Sequence, residues 1–137
     1  MKRNATAVWN GTGKEGNGTL STPNKVLNEA PYSWHSRFED APGTNPEELI
    51  AAAHAGCFTM KLSFVLAGEG VTPESLSTKC EITLEGGTIT HSHLVVRGKV
   101  PGISREGFLE AVTEAKMNCP VSKLIKAEIT AEAILEN

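Results

Sequence analysis

The pattern of hydrophobic and turn-forming positions near the start of the chain predicts two short strands. They span residues 6–9 and 18–22, and glycine or asparagine, which favour turns, stand beside each stretch. The next segment, 26–38, has no regular period and is interrupted by Pro31. We therefore expect it to supply one more strand and a loop.

A second group of strands is predicted further along the chain. Hydrophobic residues at 76, 80, 82 and 84 alternate with polar ones, and residues 89–100 follow after Gly86 and Gly87, a pattern that predicts an antiparallel hairpin. Alternation over 127–135 predicts the last strand.

The first long helix has recognisable ends in the sequence. Asn45 is a good capping residue, Pro46 is tolerated at the first helical position, and the two glutamates that follow suit the first turn. Thr44 fits a capping pattern as well, so the sequence does not decide whether Thr44 or Asn45 is the capping residue. The helix is expected to run to about residue 67, because glycines stand at 68 and 70.

The middle of this helix has small side chains on nearly every side. Alanine or glycine occupies positions 51–53, 55 and 56, and small residues permit close approach of another helix or a sheet. We expect the helix to be buried on several sides, either inside the domain or at a homodimer interface.

A second helix begins at Ser104 and has hydrophobic residues at helical spacing over 108–115. It is expected to end near Asn118, because Pro120 disfavours helical geometry in the residue before it. A helical turn is expected over 121–125. The order of strands, helix, strands, helix and strand predicts an α+β fold, and the length of 137 residues predicts a single domain spanning 1–137.

Charge and composition exclude several classes of protein. The net charge of −3 and the pI near 5.8 argue against binding of nucleic acid or of an acidic membrane surface. The apolar stretch 49–66 contains His54 and Lys61, so it is not expected to span a membrane. The polar start of the chain has no signal-peptide core, which predicts a cytoplasmic protein.

Three cysteines in such a protein indicate reactive chemistry, metal binding or core packing and not a disulfide scaffold. Cys80 lies on the apolar face of a predicted strand, so we interpret it as a core residue. Cys57 lies among small residues that leave room beside its sulfur. Cys119 ends the second helix, where local unwinding could let it move. These two are the candidate reactive thiols.

A reactive Cys57 needs a cation nearby to favour its thiolate. It lies about ten residues into its helix, beyond the first turn over which the helix dipole acts. Arg37, which precedes the helix among aromatic residues, is the leading candidate, and Arg97 and Arg105 stay open as alternatives.

Three segments closely resemble the OsmC/Ohr family, the osmotically inducible protein C and organic hydroperoxide resistance proteins. They are Arg-Phe-Glu at 37–39, Thr-Asn-Pro-Glu-Glu-Leu-Ile-Ala-Ala-Ala-His-Ala-Gly-Cys-Phe at 44–58, and Asn-Cys-Pro-Val-Ser at 118–122. The segment 32–39 is more similar to the OsmC branch.

This resemblance implies an α+β fold with antiparallel sheets packed on two main helices, in an intertwined homodimer. It implies that Cys57 attacks a hydroperoxide, that Cys119 resolves the product as a disulfide, that Arg37 activates Cys57 and that Glu47 partners Arg37. It suggests an external dithiol, such as a lipoyl group, as the reductant, and no cofactor. Glu47 lies about 15 Å from Cys57 along a continuous helix, so it must act through Arg37 or on the other subunit.

Two other functions stay open on the sequence alone. A metal site would use His54 with Cys57, or His91 with His93, but these pairs lack the spacing of a strong zinc site. The same fold could also bind a small molecule without turnover. The walls around Cys57 are expected to be apolar, with Phe58, Met60 and Leu49 nearby.

Overall fold

The computed structural model describes all residues from 1 to 137, and the contacts within the chain divide them into two units, Met1–Leu49 and Ile50–Asn137. The first unit contains a three-stranded antiparallel sheet with the order β1-β2-β3, followed by a short helix, α1. Their bounds are β1 Thr6–Asn10, β2 Asn17–Ser21, β3 Ala30–Tyr32 and α1 Trp34–Phe38.

Gly18 in the centre of this sheet allows two aromatic rings to meet. It pairs with Trp9 on one side and with Tyr32 on the other. A Cβ atom at Gly18 would lie 2.6 Å from both rings, closer than packed atoms tolerate. The rings of Trp9 and Tyr32 pack over the glycine with their centroids 5.3 Å apart.

The helix α1 was not expected, because 26–38 was predicted to hold only a strand and a loop. Ser33 caps it, with the Ser36 N–H donating to the Ser33 hydroxyl at 3.0 Å and the Ser33 N–H donating to the Ser36 hydroxyl at 2.8 Å. This is a reciprocal capping box built with serine at the position where glutamate or glutamine is usual. The helix is five residues long, too short for a periodic pattern to reveal it.

The long helix α2, Pro46–Gly68, starts where the sequence predicted and continues into the second unit. The cap is Asn45, whose Oδ1 accepts from the Glu48 N–H at 2.8 Å, while the Thr44 hydroxyl donates to the Glu48 carboxylate at 2.9 Å. Gly70, at φ +78, follows the end of the helix.

The second unit adds a three-stranded sheet and two more helices. The elements are β4 Ser75–Glu85, β5 Thr88–Lys99, α3 Arg105–Asn118, α4 Pro120–Leu124 and β6 Glu128–Leu135. Ser104 caps α3 as expected, with its hydroxyl accepting from the Gly107 N–H. The strand order is β4-β5-β6, and β4 and β5 form the predicted antiparallel hairpin.

The last strand departs from the expected antiparallel sheets, because β6 pairs with β5 in parallel. The chain passes through α3 and α4 between these strands, and such a crossover returns it to the end of the sheet from which β5 started. The alternating pattern of β6 was correct but carries no information on strand direction.

The core of the second unit is built by α2, α3 and the sheet. Its fully buried members include Phe58, Leu62, Leu66, Leu94 and Val96. By length and composition α2 could also cross a membrane, but a core helix meets the same two criteria. The expectation that the small-residue middle of α2 is buried on several sides is not met within the chain, because Ala52, Ala53 and Gly56 are exposed. The helix is buried on one side only, through Phe58, Leu62 and Leu66.

Candidate active site

Cys57 lies on α2 and packs, partly buried, against the hydrophobic core of the second unit. Burial raises the pKa of its thiol, and the neighbouring Cys119 thiol raises it further, whereas the backbone of Val121 lowers it. None of these three influences is a cation. The surroundings of Cys57 within the second unit therefore favour the neutral thiol.

Cys119 is fully buried at the junction of α3 and α4. It is both the last cap of α3 and the first cap of α4, and its backbone is extended, with φ −62 and ψ 129. Pro120 follows as the first residue of α4, which it can occupy because no hydrogen bond is lost there. The expected break in helical structure at Cys119 is thus present as a change from one helix to the next.

Arg37 and Glu47 form a two-pronged ion pair within the first unit. Arg37 Nε donates to both carboxylate oxygens of Glu47, at 3.0 and 3.1 Å, and Nη2 donates to Oε1 at 2.6 Å. The Glu47 side chain is 13% exposed and that of Arg37 is 39% exposed. Such a fork fixes the plane of the guanidinium group and leaves Nη1 free of the carboxylate.

The ion pair also fixes the charge of both partners. Burial alone would raise the pKa of Glu47, but the hydrogen bonds and positive charge of Arg37 outweigh it and lower that pKa. The hydrogen bond from Glu47 raises the pKa of Arg37. Both groups are therefore charged near neutral pH. Four aromatic rings, those of Trp9, Tyr32, Trp34 and Phe38, line a cleft of about 130 Å³ beside Arg37.

An apolar cleft of about 320 Å³ lies beside α4 in the second unit. Ile50 and Ala53 of α2 line one part of it, and Val121 and Leu124 line another. Val121 connects this cleft to the thiols, because its side chain lines the cleft and its backbone acts on Cys57.

The lining of this cleft differs from the walls expected around Cys57. Phe58 points into the core and is fully buried, and Met60 is 66% exposed. The cleft is lined instead by apolar residues after Cys119 that sequence reasoning missed. Their spacing, at 121, 124 and 125, is a helical signal, but it is confined to one short turn.

His54, considered above as a possible metal ligand with Cys57, is fully buried. Its Nδ1 lies 2.6 Å from the hydroxyl of Ser92 and its Nε2 lies 2.8 Å from that of Ser122. Cys80, which packs partly buried against the core as predicted, has its sulfur 3.3 Å from the Ser92 hydroxyl. This hydrogen-bond network was not foreseen, because its members are far apart in sequence.

The histidine pair considered for metal binding, His91 and His93, has other partners. His91 Nε2 lies 3.0 Å from the Glu128 carboxylate, and His93 Nδ1 lies 2.6 Å from the Thr130 hydroxyl. No three histidine, cysteine, aspartate or glutamate side chains are arranged to hold a metal ion.

Comparison with known proteins places these features in a family. Residues 38–133 match the family model described as OsmC-like protein. The chain is 46% identical over 135 residues to Peroxiredoxin OsmC of Escherichia coli strain K12, covering 96% of this chain and 94% of that protein. The match to organic hydroperoxide resistance protein OhrB of Bacillus subtilis is 28% identical over 124 residues, covering 87% and 89%.

The fold is shared with solved structures as well. The crystal structure of the OsmC-like protein from Mycoplasma pneumoniae superimposes with a TM-score of 0.80, covers 100% of this chain and 99% of that chain, and is 14% identical. The structure of OhrB from Bacillus subtilis gives a TM-score of 0.68 at 24% identity, with 97% and 98% covered. These similarities at low identity establish the fold.

Proposed function

The chain belongs to the OsmC family, and on this premise we propose that it is a thiol-dependent peroxidase that reduces organic hydroperoxides to alcohols. The observation that carries the proposal is the pairing of Cys57 with Cys119 beside an apolar cleft. A peroxidase of this kind needs one thiol to take the oxygen atom and a second to form a disulfide. The name of the relative from Escherichia coli supports the same activity.

In the first step the Cys57 thiolate attacks the distal oxygen of the hydroperoxide. The O–O bond breaks, the alkoxide leaves and takes up a proton as the alcohol, and the Cys57 sulfur is oxidised to a sulfenic acid. Because its surroundings in the second unit raise the pKa of Cys57, the thiolate needs a positive charge from elsewhere. Arg37, held in one plane by Glu47, is the group that we assign to this role.

In the second step Cys119 attacks the Cys57 sulfenic acid and forms a Cys57–Cys119 disulfide, releasing water. An external dithiol then reduces the disulfide by exchange and returns both thiols. A lipoyl group on a partner protein is the dithiol that we propose. No organic cofactor or metal takes part in this cycle.

The apolar cleft beside Val121 favours substrates with hydrocarbon groups. Each methylene group that leaves water for such a cleft contributes about 0.8 kcal/mol, and hydrogen peroxide has none. The cleft volume of about 320 Å³ fits an alkyl or aryl group. Organic hydroperoxides should therefore react faster than hydrogen peroxide.

We propose that the chain works as one functional domain over residues 1–137 and as a homodimer. The helix α2 runs without a break across the boundary between the two units, and the family match covers parts of both. Two large apolar side chains of α2, Met60 and Phe64, are 66% and 68% exposed, and a second copy would cover them. Sedimentation equilibrium tests the dimer, and a monomer at micromolar concentration would contradict it.

We also propose a cytoplasmic location. All three cysteines are free, and Cys57 and Cys119 need an environment that keeps them reduced between turnovers. Cell fractionation with antibody detection tests this, and recovery in a membrane or extracellular fraction would contradict it.

The decisive experiment compares peroxide consumption by the wild type and Cys57→Ser with a dithiol reductant. The serine hydroxyl is a poor nucleophile at neutral pH, so consumption should fall to the uncatalysed rate. Cumene hydroperoxide and hydrogen peroxide are assayed side by side, and kcat/KM should be higher for the former. Undiminished turnover by Cys57→Ser would refute the proposed role, and a wild type that binds but never consumes hydroperoxide would favour a binding protein.

A further inference from the structure

A buried chain of hydrogen bonds joins the two helices that carry the reactive thiols. His54 on α2 is fully buried, and its two ring nitrogens lie 2.8 Å from the Ser122 hydroxyl on α4 and 2.6 Å from the Ser92 hydroxyl on β5. Ser92 is fully buried and Ser122 nearly so. A hydrogen bond shielded from water in this way holds its partners more firmly than one at the surface.

The position of this network relative to the cysteines is specific. His54 lies one helical turn before Cys57 on α2, and Ser122 lies one turn after Cys119 in α4. The bond between His54 and Ser122 therefore ties together the same two segments that the disulfide would join.

The helix α4 has few other restraints of its own. It is five residues long, and Cys119 caps it without a side-chain hydrogen bond. Two backbone bonds define its turns, from Lys123 N–H to Cys119 O at 3.2 Å and from Ile125 N–H to Val121 O at 3.1 Å. A single turn of helix is not stable by itself, so its placement depends on contacts with the rest of the molecule.

A hydrophobic residue could fill the same space if packing were the only requirement at position 54. The histidine has both ring nitrogens hydrogen-bonded, because each serine hydroxyl can donate to or accept from the ring. Burial lowers the pKa of His54, so the ring is neutral at physiological pH and needs no counter-ion. Directional hydrogen bonds of this kind fix one arrangement of the helices where apolar contacts would permit several.

We propose that His54 is a positioning residue which, through Ser122, holds α4 so that Cys119 stays against Cys57 and forms the disulfide rapidly. The proposal rests on the peroxidase cycle described above and concerns its second step. In that step the Cys119 sulfur attacks the Cys57 sulfur, the S–S bond forms, the S–O bond breaks, and hydroxide leaves with the Cys119 proton as water.

The speed of this step protects Cys57 from further oxidation. A sulfenic acid that waits for its partner can react with a second hydroperoxide and become a sulfinic acid, which thiols do not reduce. If α4 moved freely, Cys119 would spend less time within reach, and the effective concentration of the resolving thiol would fall. Peroxide attack does not use the Cys119 sulfur as a nucleophile, so its rate should change little.

The test is Ser122→Ala, studied by rapid mixing of the reduced protein with cumene hydroperoxide. Disulfide formation should slow by about three- to tenfold, the range expected for loss of one hydrogen bond. The second-order rate of peroxide attack should stay within about twofold of the wild type. Mass spectrometry should find more Cys57 sulfinic acid per turnover, and Ser122→Thr, which keeps the hydroxyl, should restore the disulfide rate.

Thr78→Val is the matched control. It removes a hydroxyl–hydroxyl bond of 2.7 Å between Thr59 of α2 and Thr78 of β4, which lies outside the connection to α4. The control should form the disulfide at the wild-type rate. The proposal is overturned if Ser122→Ala resolves as fast as the wild type, if peroxide attack slows equally, or if Thr78→Val slows resolution as much. Failure of the peroxidase cycle itself has another signature, because the wild type would then form no Cys57–Cys119 disulfide.

Discussion

The Arg37–Glu47 pair and the Cys57–Cys119 pair differ in charge and in exposure to water. The first is a charged fork, and its arginine side chain is 39% exposed to water. The second is a pair of thiols among hydrophobic side chains, with Cys119 fully buried. The ion pair keeps its charges at neutral pH, whereas burial raises the pKa of the Cys57 thiol.

The proposed mechanism gives the two pairs different tasks. A buried thiol is shielded from unwanted oxidation, but it cannot ionise easily by itself. In the proposed mechanism Arg37, a permanent cation held by Glu47, supplies the positive charge that the Cys57 thiolate needs. The predictions below separate these contributions, and they run from the largest expected effect to the smallest.

Replacing Cys119 tests the thiol pair directly. Cys119→Ser should permit one round of peroxide attack and then stop, because no disulfide forms for the dithiol to reduce. The measurement is alcohol released per subunit with a dithiol reductant, and one equivalent is expected. Continued turnover at the wild-type rate would show that another group resolves the sulfenic acid.

Replacing Arg37 tests the origin of the charge. Arg37→Ala should raise the pKa of Cys57 by about 1 to 3 units, the shift that an adjacent opposite charge produces. Peroxide attack at neutral pH should slow by about tenfold or more. Arg37→Lys should rescue only part of the rate, because lysine keeps the charge and loses the planar fork.

The pKa is read from the pH dependence of Cys57 alkylation in a Cys80→Ala, Cys119→Ser background, which leaves one thiol. An alkylation profile of Arg37→Ala that overlays its parent would remove Arg37 as the activator. Arg97 and Arg105 would then be tested in the same way.

Replacing Glu47 separates the orientation of the cation from its charge. Glu47→Gln keeps a hydrogen-bond acceptor but loses the ionic fork seen at 2.6 to 3.1 Å. Attack should slow by about two- to tenfold, less than in Arg37→Ala. An effect as large as that of Arg37→Ala would mean that the carboxylate does more than orient the arginine.

The free energy of unfolding should depend on pH in two separate ranges, one set by His54 and the other by Glu47. Because burial lowers the pKa of His54, the unfolded chain binds more protons than the folded one below about pH 6.5. The free energy of unfolding should fall as pH decreases from there, by at most about 1.4 kcal/mol per pH unit from this group. The contribution of Glu47, whose pKa is lowered, is present above about pH 4.3 and is lost at more acidic pH.

Urea unfolding between pH 7 and pH 5 measures the first window, with His54→Gln as the comparison. The slope with pH should be smaller in the variant. Parallel curves for the two proteins would show that His54 does not titrate on unfolding.

Most of the elements could be predicted from the sequence, and the misses have physical causes. Asn45 and Pro46 marked the start of α2, and Ser104 marked the start of α3, because capping and proline effects are local. The helix α1 was not predicted, because it has only five residues and its capping box is made of two serines. The parallel pairing of β6 with β5 was not predicted, because strand direction follows from the path of α3 and α4 and not from the residues of β6.

The same distinction between local signals and long-range contacts applies to the candidate site residues. The sequence by itself determined that Cys57, Cys119, Arg37 and Glu47 deserve a chemical interpretation, because residue type and motif are encoded locally. The family resemblance implied that Arg37 pairs with Glu47 and Cys57 with Cys119, but only the tertiary structure showed these contacts, because contacts between residues far apart in sequence depend on the packing of whole elements. It alone placed His54 between Ser92 and Ser122, which are separated from it by 38 and 68 positions. Hydrogen bonds over such separations exist only after the helices and the sheet have closed around them, so no local pattern records them.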